Sequence, residues 1–478
     1  MTAQQQPAPP PTSLLAPAYR SATIGSLTLV FLIAFEALAV ATVMPVVAAD
    51  LGGRSLFAVA FSATLAAGIV GMVAGGAWAD RVGATRPMLV AVATFAAGLL
   101  LAGLAPTMPA LVVGRFLQGL GGGAAQVTVY VLVGQVYAPA DRSRILGAFA
   151  AAWVLPGLVG PFLAGLVTDL VGWRWVFLGV VVLAALALAL LVPALRRASA
   201  ASPGSSAAPT PDRDTGTQDD GGPVVTRAAT RLALAVVVAG AVLGLNLASA
   251  LEGAARPVVA VAAVLVALAA VRPLLPPGTL RASRGIPAVV AFRGLVAGGY
   301  FAAESYLPYL LQDRYGAAPA VAGLVLTVAA TSWAAASQVQ GRATGVSDDR
   351  AFRVGASLLV AGVAVQVLVA AAPLPGLAAG VLAAGGWLLS AAGMGWSYPR
   401  VTANVLGRTP PAQHGTASAA VTIADSLGAA TAVALAGVVF TALAAEAVAE
   451  PVPFAGAFAL ALVWALLALL VSRRSTAA

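Results

Sequence analysis

The sequence predicts an all-α membrane protein with fourteen transmembrane helices, arranged as two pseudo-symmetric six-helix bundles plus an inserted helix pair. Three observations predict it. First, of 478 residues 60% are hydrophobic and only 9% charged, against roughly 25% charged in a soluble domain. Second, apolar runs of about 20 residues recur from Ala22 onward, each long enough to cross a ~30 Å hydrocarbon core as helix at ~1.5 Å per residue. Third, the arginines alternate from loop to loop. The alternating strands of about ten residues that a barrel needs are absent.

Residues 1–21 are a polar head without a basic region or cleavage site before the apolar stretch, and they read as a disordered cytoplasmic tail before an uncleaved first span. Spans over 22–49, 56–79, 87–105, 109–137, 144–168 and 174–194 form the N-terminal bundle, 22–194. Residues 195–230, which take in nearly all of a Ser-, Pro-, Gly- and Asp-rich stretch from Arg196 to Arg231, read as a disordered cytoplasmic linker, dispensable for folding because it cannot bury enough apolar surface. Spans over 231–251 and 255–275 form the inserted pair, 231–275. The second is short: Arg256 and Arg272 bracket 15 residues and must both snorkel. Twelve spans with a re-entrant hairpin remain the alternative, because removing a pair leaves every later loop on its side. Spans over 286–311, 319–341, 352–372, 376–398, 416–443 and 453–471 form the C-terminal bundle, 286–472.

All 26 basic residues are arginine. With these spans, 20 of them fall at the two ends and in every second loop, four in the opposite loops, and two, Arg115 and Arg293, inside spans. The bias puts both termini in the cytoplasm of a multi-pass protein of the plasma or inner membrane. It also explains the net charge of +9 without nucleic acid. The absence of lysine excludes a phosphate-loop lysine and any Schiff-base cofactor, and with no cysteine and a single histidine, His414, no metal site is expected. The chain is therefore expected to be no enzyme, to bind no nucleotide or cofactor, and to act as a monomer on a small molecule within the lipid bilayer. Work would be driven by an ion gradient or a partner's ATPase.

The halves repeat. Pro45, Asp50 and Gly53 end the first span with the spacing of Pro308, Asp313 and Gly316 in the ninth, and Gly147 and Gly160 stand 13 apart, like Gly415 and Gly428. A same-orientation repeat implies two similar bundles around a central pathway.

Three motifs carry chemistry. GAWADRVGATR, Gly76 to Arg86, places Gly76, Asp80, Arg81 and Gly83 in a tight loop, where Asp80 can accept from the free N–H groups of a neighbouring helix start. An ordinary turn rich in cytoplasmic arginine would share these residues. LVVGRFLQGLGGGAAQ, Leu111 to Gln126, puts Arg115, Gln118 and Gly119 on one helix face beside glycines that admit a close neighbour. An arginine at the bilayer centre costs at least ~2.5 to 3.5 kcal/mol, so it either finds an anion or snorkels to the nearer surface. WVLPGLVGPFLAG, Trp153 to Gly165, is kinked by Pro156 and Pro161 and thinned by glycine, including Gly160.

These motifs together resemble the major facilitator superfamily, and most closely its drug/proton antiporter branch with fourteen helices. Gly76, Asp80, Arg81 and Gly83 match the family's loop signature, with Ala84 and Thr85 where a basic pair is usual. Leu111, Arg115, Gln118, Gly119 and Gly121 match its fourth-helix pattern, and Gly157, Gly160-Pro161 and Ala164-Gly165 its exporter signature. WRWVFLG, FEALAVATVMP and GMGWSYP resemble further stretches, with Glu36 where the family usually has Asp. The resemblance implies alternating access and export of amphipathic, cationic small molecules in exchange for protons, the proton being the coupling ion. Export of an endogenous metabolite, natural product or lipid is the alternative, and a non-transporting sensor or scaffold the alternative of another class.

The intramembrane acids are few. Glu36 is expected to pair with Arg115: fourteen residues into span one it lies ~21 Å above the cytoplasmic edge, and Arg115, six residues into span four from the other side, is again ~21 Å from the cytoplasm. Asp425 has no cationic neighbour in its own helix and is expected to sense substrate charge or take part in proton coupling. Glu304 and the aromatics Trp153, Tyr300, Trp387 and Trp396 either line a substrate cavity or sit at the membrane surface.

Overall fold

The computed structural model describes residues 13–17, 19–200, 224–248, 251, 253, 255–343, 345–410, 414–445 and 451–475. Among them there is no strand, and fourteen helices are long and apolar enough to cross a membrane. They are α1 Arg20–Asp50, α2 Phe57–Val82, α3 Thr85–Gly103, α4 Met108–Val136, α5 Pro139–Val171, α6 Arg174–Ala200, α7 Val224–Ala248, α8 Ala255–Val271, α9 Ile286–Tyr309, α10 Pro319–Arg342, α11 Asp348–Ala371, α12 Gly376–Gly407, α13 His414–Ala445 and α14 Pro451–Ser472. Both α7 and α8 are full helices rather than a re-entrant hairpin. Most of the linker, 201–223, lies outside the described residues, as do residues 1–12 and Glu252.

Helices apolar on all sides cannot choose a buried face by amphipathicity, because lipid and bundle core are equally apolar. Small residues and caps decide instead. Gly83, at φ +78°, ends α2, and Gly172, at φ +96°, ends α5. Ser347 caps α11 by accepting from Arg350 N at 3.4 Å, with Asp348 and Asp349 in the first turn, where carboxylates favour the helix dipole.

The packing repeats with an offset of eight helices. In the first half α1 packs on α5 and α6, and α4 on α2 and α3, while α3 meets α6; in the second, α9 packs on α13 and α14, and α12 on α10 and α11, while α11 meets α14. The halves touch along two seams, α2 on α13 and α5 on α10, and α7 lies across the first with α8 against it.

The seams are closed at one end. Call the end where α1 begins and α14 finishes the terminal end, and the other the far end. At the far end Arg54 Nη2 lies 2.8 Å from Asp313 Oδ1, Gln312 Nε2 donates to Thr42 O at 2.8 Å, and Ala320 N donates to Asp169 Oδ2 at 3.1 Å. Phe57 of α2 packs between Tyr306 and Tyr309 of α9, with ring centroids 5.4 and 4.7 Å away. Glycine makes the α5–α10 contact possible: a Cβ at Gly165 would stand 2.6 Å from Ala320 Cα, and one at Gly323 would run into Pro161 O. Among the described residues no hydrogen bond or ion pair joins the two halves at the terminal end, where Trp78 of α2 and Leu146 of α5 are exposed. The bonds named above that join the halves thus lie toward the far end.

Candidate functional site

Residues Leu111–Gln126 lie in α4, which is capped by Thr107, whose hydroxyl accepts from Ala110 N at 3.4 Å. A Cβ at Gly119 or Gly123 would run into the α2 carbonyls of Thr64 and Gly68, and one at Gly121 into Phe95 N of α3. So α2 and α3 lie backbone against backbone on either side of α4. This approach brings Ala60 O of α2 to 3.3 Å from Arg115 Nε. Arg115 Nη1 donates to Gln118 Oε1 at 2.7 Å and is ion-paired with Glu36 Oε1 of α1. The three side chains are sealed in, with Glu36 5%, Arg115 3% and Gln118 1% exposed. Arg115 does not snorkel; its counter-charge comes from α1. Gly119→Leu is expected to cut the yield of folded protein several-fold by driving α2 from α4, and a variant with wild-type yield and Tm would show that the crossing can open.

A second cluster lies in the other half. Arg293 Nε of α9 stands 2.7 Å from Asp425 Oδ1 of α13, and Tyr398 OH of α12 donates to the same oxygen at 2.7 Å. The Arg293 guanidinium lies over the Tyr398 ring, 3.3 Å from its centroid. Asp425 therefore has a counter-charge after all, supplied from α9 rather than from its own helix. The signal was available: Arg293 is an intramembrane arginine, and the cost that sent Arg115 in search of an anion applies equally to it. This pair is more open than the first, with side chains 15% and 22% exposed.

An aromatic wall runs on from Tyr398. Trp333 of α10 meets Tyr398 edge-on at 5.3 Å and Tyr300 of α9 at 5.4 Å, and Tyr300 stacks on Trp387 of α12 at 4.5 Å. Glu304, one turn beyond Tyr300, is 8% exposed. Among the described residues nothing hydrogen-bonds or ion-pairs with it. At ~1.5 Å per residue Arg293 and Asp425 lie ~10 and ~16 Å from the terminal ends of their helices, and Glu304 ~27 Å. The aromatic row thus runs from the Arg293–Asp425 pair toward a buried acid that has no counter-charge among the described residues.

The remaining candidates are scattered. Trp387 is fully buried, its indole N–H and that of Trp396 lack a partner, and Trp153 is exposed on α5. Asp80 and Arg81 are exposed, and no bond to Asp80 is found among the described residues. The role expected of Asp80 at a helix start is taken by Gln135 of α4, whose Oε1 accepts from Ala84 N at 3.3 Å. A Cβ at Gly76 would meet Val127 of α4 at 3.3 Å, and one at Gly83 would meet Gln135 Nε2 at 3.2 Å, so both glycines belong to the α2–α4 contact. A Cβ at Gly160 would approach Phe35 of α1 to 3.3 Å, and Pro161 presents its carbonyl to Gly323, placing this motif where α5 meets α1 and α10. No group of three or more His, Cys, Asp or Glu able to hold a metal occurs among the described residues.

The family described as Major Facilitator Superfamily matches residues 26–432. A probable multidrug-efflux transporter of Mycobacterium tuberculosis is 30% identical over 83% of each chain. An uncharacterized MFS-type transporter of the same organism is 37% identical over 28% of this chain, and the match spans only 20% of that relative's length. Multidrug resistance protein 3 of Bacillus subtilis is 33% identical over 32% of this chain and 30% of its own. Among solved structures, the peptide transporter POT in complex with sulfate superposes with a TM-score of 0.64 at 16% identity, over 94% of both chains, a likeness of fold.

Proposed function

Because the chain belongs to the major facilitator superfamily of membrane transporters, we propose that it is a proton-coupled exporter of amphipathic, cationic small molecules, working by alternating access. The observation that carries this reading is Glu304, a buried carboxyl without a counter-charge at the end of an aromatic wall. An isolated charge in the membrane interior costs at least ~2.5 to 3.5 kcal/mol, so either a proton or a substrate cation neutralises it, and each excludes the other. Trp333, half-buried beside Tyr300, supports this reading by offering such a cation aromatic and apolar contact. Glu36 and Arg115 serve as the coupling pair: a proton on Glu36 frees Arg115, and the change in pairing biases the rocking of the halves. The arginine bias supports a cytoplasmic terminal end, and the bonds that join the halves lie toward the other end, as an inward-loading state requires. The names of the efflux relatives support the direction of transport.

Purified protein in proteoliposomes with an imposed pH gradient, offered cationic, neutral and anionic compounds, tests the reading. Cation flux should follow the gradient. Glu304→Gln should lower it by about tenfold or more, the equivalent of ~1.4 kcal/mol, and leave neutral compounds within about twofold. Asp425→Asn, which strands Arg293, should instead depress both classes. Equal losses in Glu304→Gln would overturn the assignment, a gradient-independent flux the coupling, and no flux of any compound would favour a sensor or scaffold.

A further inference from the structure

The loop between α8 and α9, residues 272–285, reads RPLLPPGTLRASRG and is folded rather than slack. Thr279 N and its hydroxyl both donate to Pro276 O, at 3.1 and 2.7 Å. Arg281 N and Ser283 N donate to Gly278 O, both at 3.1 Å, and Ala282 N donates to Thr279 O at 2.9 Å. The C-terminal segment clamps it: Gly285 N donates to Arg474 O at 3.1 Å, and Arg474 Nη1 to Arg281 O at 3.3 Å. Ala282, at φ +47°, is the one non-glycine residue with a left-handed backbone among the described residues. Strain of this kind persists only where surroundings over-determine it, and it concentrates at ligand sites.

The loop shapes a half-open surface cleft of about 760 Å³ whose lining includes Arg272, Pro276, Pro277, Leu280 and Arg281. Both arginines are exposed, and among the described residues neither guanidinium has a hydrogen bond or ion pair. Leu280, which lines the same cleft, is 48% exposed. On α8, Val258, Val261, Leu265 and Leu268 are all exposed at helical spacing, and Arg272 continues their row by one more turn. The result is an apolar stripe ending in two unpaired cations at the level where a spanning helix leaves the hydrocarbon.

We propose that this cleft is a binding site for the headgroup of an anionic phospholipid, whose acyl chains lie along the α8 stripe. A phosphodiester is the group that planar guanidinium forks bind in bidentate fashion, and the apolar stripe gives the chains a surface that a free anion would not use. The proposal is independent of the transport reading, since none of these residues belongs to the charged clusters.

The test compares lipid retention by native mass spectrometry after purification with phosphatidylglycerol or phosphatidylcholine. Wild-type protein should prefer phosphatidylglycerol by about thirtyfold, the ratio expected for two arginines at a membrane surface. The double variant Arg272→Gln/Arg281→Gln should lose the preference. Arg350→Gln/Arg353→Gln should keep it; these residues line another surface concavity, where Arg353 is already paired with Asp349 at 2.6 Å. Photo-crosslinking wild-type protein with a phosphatidylglycerol analogue should label the peptide spanning 272–285, an outcome independent of variant folding. An unchanged preference in the first variant, equal loss in both, labelling elsewhere, or displacement by millimolar-range inorganic phosphate would each overturn it.

Discussion

Glu36→Gln and Arg115→Gln should each abolish proton-driven exchange, and the double variant should transport no worse than either single. The pair is the most enclosed ionic contact found among the described residues, and its third member, Gln118, shares the arginine's Nη1. Removing one partner of such a pair leaves the other charge uncompensated, at a cost of about 3 to 5 kcal/mol, whereas removing both does not. The single variants should also differ from each other. Arginine keeps its proton in any protein environment, so Glu36→Gln strands a permanent cation; Arg115→Gln strands a carboxyl that can take a proton and become neutral. Thermal unfolding in detergent should therefore rank Glu36→Gln below Arg115→Gln, with the double variant above Glu36→Gln. Transport losses that simply multiply in the double variant, or undiminished exchange by Glu36→Gln, would show that the residues do not act as a unit.

The helices and the Glu36–Arg115 contact were legible in the sequence for the same reason. A bilayer fixes depth, and at ~1.5 Å per residue depth turns a position along a span into a height, so charges on different spans can be matched without knowing which helices are neighbours. The same logic, applied to Arg293, would have found Asp425, because their heights differ by ~6 Å, within reach of an arginine side chain. The helix of Asp425 alone does not reveal the partner, because in a bundle counter-charges come from neighbouring helices. Depth carries no information about azimuth. That is why the wall of Tyr398, Trp333, Tyr300 and Trp387, drawn from three helices, could not be told from interfacial aromatics, and why Gln135 rather than Asp80 meets the start of α3. Both depend on which helix faces turn together, and in this chain those faces are set by glycine contacts such as Gly119 on Thr64.

Locking the far end should stop transport altogether. The native chain has no cysteine, so Arg54→Cys/Asp313→Cys introduces the sole pair of thiols, in side chains that now lie across the seam between the two halves. The lost ion pair is little sacrificed: with side chains 63% and 23% exposed it contributes on the order of 0 to 1 kcal/mol. The other far-end contacts are similarly modest. The Gln312–Thr42 and Asp169–Ala320 hydrogen bonds contribute about 1 kcal/mol each, and each contact of Phe57 with Tyr306 and Tyr309 about 0.5 to 1.5 kcal/mol. A seal of that size is weak enough for ligand or proton binding to overturn, since ~5.5 kcal/mol moves a two-state equilibrium from 1:99 to 99:1. A covalent bridge is not. Treating the double-cysteine variant with a short, cleavable bifunctional maleimide should therefore abolish flux in proteoliposomes, and cleaving the bridge should restore it, while each single-cysteine variant keeps its flux under the same treatment. Transport at the wild-type rate by fully bridged protein would mean that the far end does not open in the cycle.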